Sequence, residues 1–277
     1  MGNKVELGSL NARKAQGEKL TMLTAYDFPF ARLVDEAGID LILVGDSLGN
    51  VVLGYPDTVR VTMEEMLHHT RAVSRAVQHA LVIGDMPFMS YNVSVEEAIR
   101  NAGRFLKEAG ADLVKLEGGA DMADTVTAIV RAGIPVCGHI GLTPQTAAQI
   151  GGYKVQGRTG LSARVLLEDA KRLAAAGASM IVIECVPARV AGRIAAAVEI
   201  PIIGIGAGPA CDGQVLVLHD MLGLGGGEFQ PKFVKQFGAL GEAARGALQA
   251  YKAEVIAGTF PGSEHGFKIS DEELAKL

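Results

Sequence analysis

The chain has 277 residues, 49% of them hydrophobic, so it can bury a large core, and chains of this length commonly form a single domain. Its net charge of −5 without a basic cluster argues against nucleic acid as a partner, and no apolar run approaches the roughly 18–20 residues that span a bilayer. Three cysteines without CxxC spacing indicate neither disulfides nor a thiolate metal site, and the lack of a signal-peptide pattern predicts a cytoplasmic protein.

Apolar strand-like runs alternate with helical patterns along the whole chain. Strands are predicted over residues 20–24, 41–44, 81–84, 113–117, 134–139, 180–184, 201–205 and 215–217. Helices are predicted over residues 28–37, 62–77, 94–109, 121–132, 162–176, 189–198 and 233–256. Thr62 and Ser94 each stand three residues before a glutamate, which is the pattern of a capping box at a helix start.

Eight predicted strands that alternate with helices indicate the α/β class and a closed (β/α)8 barrel, the TIM barrel. We expect one catalytic domain over residues 1–277, with a C-terminal helix and tail. An open doubly wound sheet is the main rival. It is disfavoured because the first strand-to-helix turn carries no GxGxxG pattern, and polar residues close many strands instead of two adjacent ones.

Ionisable residues close several of the predicted strands. After strand 41–44, Asp46 and Ser47 lie among glycines that permit a tight turn beside a ligand. Taken alone, Asp46 is as readily explained as a helix cap or a turn residue. Repetition of the pattern favours a site, because the carboxyl ends of barrel strands meet at one mouth. The side chains expected there are those of Asp46, Asp85, Lys115, Glu117, His139 and Glu184.

Four carboxylates in one mouth need more positive charge than a single lysine provides. Like charges in a low-dielectric pocket drive one another to protonate unless a cation is bound among them. Carboxylate oxygens and the Ser47 hydroxyl, without a cysteine cluster, favour a hard divalent ion, magnesium before calcium or zinc.

Several long motifs closely resemble those of the ketopantoate hydroxymethyltransferase family. The resemblance covers nearly the whole chain, and the motifs occur in the family's order, which makes it far more specific than any single glycine pattern. The motifs are residues 44–49 (VGDSLG), 85–91 (DMPFMSY), 114–119 (VKLEGG), 138–145 (GHIGLTPQ), 152–158 (GYKVQGR), 204–208 (GIGAG) and 212–217 (DGQVLV).

The resemblance implies a one-carbon transfer in pantothenate biosynthesis. A hydroxymethyl group would pass from 5,10-methylenetetrahydrofolate, the co-substrate, to 3-methyl-2-oxobutanoate through a magnesium-stabilised enolate, giving 2-dehydropantoate and tetrahydrofolate. One Mg²⁺ per subunit is implied as cofactor. A homo-oligomer, in this family a decamer, is implied as well.

The resemblance also implies roles for the residues that close the strands. Glu184 matches the proton-transfer residue. Glu117 would reach the metal through water, beside two aspartates that bind metal and substrate. The implied metal residues are Asp46, Asp85 and Glu117, and the implied substrate-binding residues are Asp46, Ser47, Asp85, Lys115 and His139.

Other interpretations remain at this point. His139, on an apolar strand, is also explained as a hydrogen-bonded core histidine. A magnesium-dependent lyase or mutase of the phosphoenolpyruvate mutase and isocitrate lyase group shares the oxo-acid chemistry, although its lyases typically carry a Lys-Lys-Cys-Gly-His loop that this chain lacks. A non-catalytic barrel would not need so many ionisable strand ends.

The long loop over residues 140–160 suits a cover over the ligand.

Overall fold

The computed structural model describes residues 3–225 and 231–277. Within them, residues 3–218 and 231–234 form one compact unit, and residues 219–225 and 235–277 form another. All eight strands found in these residues belong to the first unit. The single domain expected over residues 1–277 stays a prediction.

The strands form a closed parallel barrel in which each pairs with its neighbours in sequence and the last pairs with the first. This confirms the predicted (β/α)8 fold, because a helix follows most strands and covers the outside of the sheet. The strands are β1 (Leu20–Thr24), β2 (Leu41–Val44), β3 (Leu81–Asp85), β4 (Leu113–Glu117), β5 (Val136–Gly141), β6 (Met180–Glu184), β7 (Ile202–Ile205) and β8 (Gly213–Leu216).

Apolar side chains fill the barrel interior. Alternate residues of each strand face inward, so the first and third positions of β3, for example, are both core residues. The interior cluster contains Leu20, Met22, Leu41, Leu43, Leu81, Ile83, Leu113, Cys137, Met180, Val182, Ile203 and Val215, together with Leu10 from the first helix. Continuing this alternation by two residues brings the chain to the ionisable residues that close the strands.

Helices pack around the sheet or follow it in sequence. They are α1 (Leu10–Ala15), α2 (Phe28–Glu36), α3 (Leu48–Val51), α4 (Met63–Ala76), α5 (Val95–Ala109), α6 (Ala123–Arg131), α7 (Gly160–Ala175), α8 (Ala188–Ala197), α9 (Leu218–Met221), α10 (Leu240–Ala257) and α11 (Asp271–Leu274). The capping box at Thr62 is present in full, with Glu65 bonded back to the Thr62 backbone. At Ser94 the side chain accepts from the Glu97 backbone N–H, which is half of the predicted box.

The predicted helix over residues 233–256 starts too early. α10 begins at Leu240, since the backbone N–H groups of Phe237 and Leu240 donate to the carbonyls of Met221 and Leu222 instead of forming helical bonds. The prediction also missed α1, whose Leu10 is fully buried. A six-residue helix with one buried side chain shows too little periodicity to be recognised in a sequence.

Aspartates stand immediately before β2, β4 and β8, at the amino-terminal end of the barrel. Each accepts a backbone N–H from the preceding strand and pairs with one basic side chain. The amino-terminal end of the barrel is thereby tied to residues 4–14, which precede β1. The pairs are Asp40 with Arg13 at 2.6 Å, Asp112 with Lys4 at 2.7 Å, and Asp212 with Lys14 at 2.9 Å.

Candidate active site

The ionisable residues that close the strands meet at the carboxyl-terminal end of the barrel, as the sequence predicted. Strand register sets four of these positions side by side in two pairs: Asp85 is paired with Lys115, and Glu117 with His139. Glu184, at the end of β6, is paired with Gly141 of β5. The strand-closing acids and bases therefore form one polar layer above the apolar interior.

Lys115 lies at the centre of this layer and is 3% exposed. Its Nζ donates to Asp85 Oδ1 at 2.7 Å and lies 3.8 Å from Glu117 Oε1. Burial lowers the pKa of Lys115, but the neighbouring carboxylates outweigh it and raise the pKa above its ordinary value. Lys115 is therefore a permanent positive charge at neutral pH.

Asp46 joins the layer from the turn after β2. Its backbone N–H donates to Asp85 Oδ2 at 3.1 Å, and its Oδ2 accepts from the side-chain amide of Gln145 at 2.9 Å. Burial, then the charges of Asp85 and Glu117, raise the pKa of Asp46 well above its ordinary value. The negative charge around Asp46 is thus not balanced by the side chains present.

His139 lies between two carboxylates. Its Nδ1 is 3.4 Å from Glu117 Oε1, and its Nε2 is 3.3 Å from Glu184 Oε2. Burial and the Lys115 charge lower the pKa of His139, but the carboxylates outweigh both and raise it to about 9. An imidazolium with two acidic neighbours favours a role in the site over that of a neutral core histidine. Glu184 differs from the other members because 15% of its side chain is exposed.

Two residues of the site were not predicted to act there. Gln145 follows β5 in a short 3-10 turn, and Tyr91 lies in the loop after β3. Both are 3% exposed, and the Tyr91 hydroxyl donates to Gln145 Oε1 at 2.6 Å. Neither lies on a strand, so alternation could not place them, although both belong to motifs that carry the family resemblance.

Ser47 and other residues outside the polar layer have more local surroundings. Ser47 Oγ lies 2.8 Å from the buried Tyr26 hydroxyl. Asp27 caps α2 by accepting from the Phe30 backbone N–H, which gives it a structural role. The three cysteines are free thiols, of which Cys137 and Cys211 are buried and Cys185 is partly exposed.

The charges in the layer leave an excess of two negatives. Asp46, Asp85, Glu117 and Glu184 contribute four carboxylates when ionised, against the ammonium of Lys115 and a protonated His139. Among the described residues, no three acidic, histidine or cysteine side chains are already gathered around one point as a metal site. Two carboxylates remain a sufficient protein contribution for Mg²⁺, which usually keeps several water ligands.

A sequence model of the ketopantoate hydroxymethyltransferase family matches residues 4–263. The chain belongs to this family. Among curated relatives, 3-methyl-2-oxobutanoate hydroxymethyltransferase of Heliobacterium modesticaldum is 60% identical, with 98% of each chain covered. The enzyme of the same name from Moorella thermoacetica is 58% identical over 96% of this chain and 98% of its own. That the chain is an enzyme, a hydroxymethyltransferase of pantothenate synthesis, is confirmed.

Solved structures with the same fold have lower sequence identity to this chain than the curated relatives do. Phosphonopyruvate hydrolase, in complex with oxalate and Mg²⁺, aligns with a TM-score of 0.62 at 14% identity, covering 98% of this chain and 93% of its own. A 2,3-dimethylmalate lyase aligns with a TM-score of 0.58 at 17% identity, with the same coverage. At these identities the likeness shows the shared barrel alone. In the described residues, no helix is long and apolar enough to cross a membrane.

Proposed function

We propose that this chain transfers the hydroxymethyl group of 5,10-methylenetetrahydrofolate to 3-methyl-2-oxobutanoate, giving 2-dehydropantoate, with Mg²⁺ bound in the polar layer. The observation that carries the proposal is the uncompensated charge around Asp46, whose pKa is raised by burial and by two neighbouring carboxylates. A divalent cation would neutralise that excess. The family membership supplies the reaction.

The donor set fits a hard divalent ion. Asp46 and Asp85 are neighbouring carboxylates joined by the Asp46 N–H, and oxygen ligands of this kind suit magnesium. We assign these two residues to the metal, with Glu117 reaching it through water. A bound divalent ion would supply positive charge for the oxo-acid oxygens on which negative charge develops when the C3 proton leaves.

The chain's own residues would bind the oxo acid and exchange its proton. Lys115 retains N–H donors beyond the one given to Asp85, and we assign them, with the Ser47 hydroxyl, to the substrate carboxylate. Glu184 is assigned as the group that moves the proton, because it is the carboxylate of the layer with the greatest exposure to an incoming substrate. His139, 3.3 Å from Glu184, would hold that carboxylate in place and face the substrate.

The folate co-substrate would approach from the open side of the layer, near the loop over residues 140–160. Tyr153 of this loop is 63% exposed, and its pKa is raised first by desolvation of the hydroxyl and then by the charges of Asp57 and Asp46. Cytoplasmic location and assembly as a homo-oligomer, a decamer in this proposal, remain predictions.

Release of tetrahydrofolate tests the proposal directly. The purified protein is incubated with 5,10-methylenetetrahydrofolate and 3-methyl-2-oxobutanoate, with Mg²⁺ or with a chelator. Tetrahydrofolate should appear only when the oxo acid and Mg²⁺ are both present. Consumption of an oxo acid without folate would instead indicate lyase or mutase chemistry. Absence of turnover in every mixture, from protein shown to be folded, would contradict the proposal.

A further inference from the structure

Gln145 makes more contacts within the polar layer than any role in its own turn requires. Its side-chain Nε2 donates to Asp46 Oδ2 and to the Met86 carbonyl, both at 2.9 Å, while its Oε1 accepts from the Tyr91 hydroxyl. Its backbone N–H donates to Glu117 Oε2 at 3.0 Å. One residue thus bonds to the carboxylates of Asp46, in the turn after β2, and of Glu117, at the end of β4.

The orientation of the Gln145 amide is fixed by Tyr91. The Tyr91 oxygen accepts the Glu117 backbone N–H at 3.2 Å, so its own proton is available to Gln145 Oε1. An amide turned the other way would set its NH₂ against that hydroxyl proton and its oxygen against two acceptors, Asp46 Oδ2 and the Met86 carbonyl. The network therefore holds the N–H groups toward Asp46.

A neutral donor is required at this position. The layer already carries an excess of carboxylates, so a glutamate here would add a further negative charge beside Asp46, whose pKa burial and its acidic neighbours already raise. A side chain without donors would leave the Asp46 carboxylate free to rotate. Asparagine is shorter by one methylene and would not span the contacts on both sides.

We infer that Gln145, oriented by Tyr91, is a positioning residue of the metal site, which sets the plane of the Asp46 carboxylate and the place of Glu117. This inference rests on the proposed function, since it assigns Asp46 to the metal. Gln145 would act through these two carboxylates. Groups that orient a metal ligand in this way typically contribute about 10–100-fold to metal affinity.

The test measures Mg²⁺ binding to the enzyme without substrates, by isothermal titration calorimetry. Gln145→Met keeps the length of the side chain but removes both its donors and its acceptor, and it should bind Mg²⁺ about 10–100-fold more weakly than the unaltered protein. Tyr91→Phe releases the amide and should weaken binding in the same direction by about 3-fold or more. Because the carboxylates remain, a high concentration of Mg²⁺ should restore much of kcat in both variants.

Thr146→Val is the matched control. Thr146 belongs to the same turn and bonds to Thr143 Oγ1 at 2.7 Å, so the change loosens the turn without removing a contact to Asp46. It should bind Mg²⁺ as the unaltered protein does. Equal weakening in Thr146→Val would show that the turn's stability, and not the amide, matters, and would overturn the inference.

The remaining outcomes separate the inference from the proposed function. Unchanged affinity in a folded Gln145→Met protein overturns the inference alone. If that variant does not fold, Tyr91→Phe decides, and unchanged affinity there overturns the inference equally. Failure of the unaltered protein to bind Mg²⁺ at all would instead contradict the metal of the proposed function, and the inference would fall with it.

Discussion

The two ends of the barrel balance their acidic side chains in opposite ways. At the amino-terminal end, three aspartates each have one basic partner and one backbone N–H from a neighbouring strand. At the carboxyl-terminal end, four carboxylates share Lys115 and His139. At the amino-terminal end the negative charges are balanced without a ligand, whereas at the carboxyl-terminal end they are not.

The pKa of one aspartate from each end shows the difference. Burial raises the pKa of Asp40, but hydrogen bonds from Arg13 and Thr21 outweigh burial and lower it. Burial also raises the pKa of Asp46, and there the charges of neighbouring carboxylates raise it further. The charge of Asp40 therefore stabilises the fold, whereas the charge of Asp46 is held at a cost in stability that a bound cation would relieve.

Removing an acid of the carboxyl-terminal end should have the largest effect on activity. Asp46→Ala and Asp85→Ala should each lower kcat/KM by more than about 100-fold. Residues that only orient a metal ligand already contribute about 10–100-fold to metal affinity or activity. Steady-state assays at limiting Mg²⁺ measure the loss. Circular dichroism should show an intact fold, and near-normal rates in either variant would refute the metal assignment.

Glu184→Gln should separate chemistry from metal binding. The amide keeps the shape of the side chain but cannot accept a proton, so kcat should fall about 100-fold while Mg²⁺ affinity changes little. NMR detection of exchange of the substrate C3 proton with deuterium, without folate, identifies the step. Surviving exchange would place Glu184 in the folate half of the reaction, and a collapse of Mg²⁺ affinity would make it a metal ligand instead.

Lys115→Met should weaken binding of the oxo acid by about 10-fold or more, since a hydrogen bond to a charged group contributes about 1.5–3 kcal/mol. KM for folate should change less. Lys14→Met is the control from the other end, because Lys14 pairs with Asp212 and donates to three backbone carbonyls. It should lose stability and keep KM. Equal changes of both KM values in Lys115→Met would contradict its placement at the substrate carboxylate.

Neutralising one aspartate at each end should affect stability in opposite directions. Asp40→Asn should lower the free energy of unfolding by about 1–3 kcal/mol at pH 7, because it weakens a charged hydrogen bond network. Asp46→Asn, measured without metal, should be neutral or stabilising, because it relieves repulsion among carboxylates. Urea unfolding curves give both values, and equal destabilisation by the two changes would remove the distinction between the ends.

The effect of Asp40→Asn should also depend on pH. The folded protein holds the pKa of Asp40 below its ordinary value of 3.8, so the stabilisation by the carboxylate is complete above that pH. It is lost as the pH falls through the folded value and Asp40 becomes protonated. The difference between Asp40→Asn and the unaltered protein should therefore shrink below about pH 3.8, and a difference that grew in acid would contradict the lowered pKa.

The smallest effect is expected for an exposed pair on the barrel's outer surface. Arg32 and Glu36 lie 3.6 Å apart on α2, each with more than half of its side chain exposed. Glu36→Gln should change the free energy of unfolding by less than about 0.5 kcal/mol, because solvent screens such pairs. The same urea experiment measures it, and a loss as large as that of Asp40→Asn would show that burial does not explain the difference.

The sequence alone determined the barrel and the ionisable residues that close its strands. Strand limits follow from apolar runs, and β1, β2, β4 and β6 lie where the pattern predicted them. Inward alternation, continued past the core, also places Lys115 and Glu117 on the same side of β4, because period two is a local property of a strand.

Only the tertiary structure determined which hydrogen bonds connect the residues of the polar layer. Gln145 and Tyr91 come from loops, where no periodicity relates a residue to its neighbours in space, and their bonds to Asp46 and Glu117 join positions far apart in the chain. The start of α10 likewise depends on hydrogen bonds to Met221 and Leu222 that no local pattern encodes. Composition and spacing indicate which ionisable side chains reach the site, but hydrogen-bond partners across loops depend on the closed barrel itself.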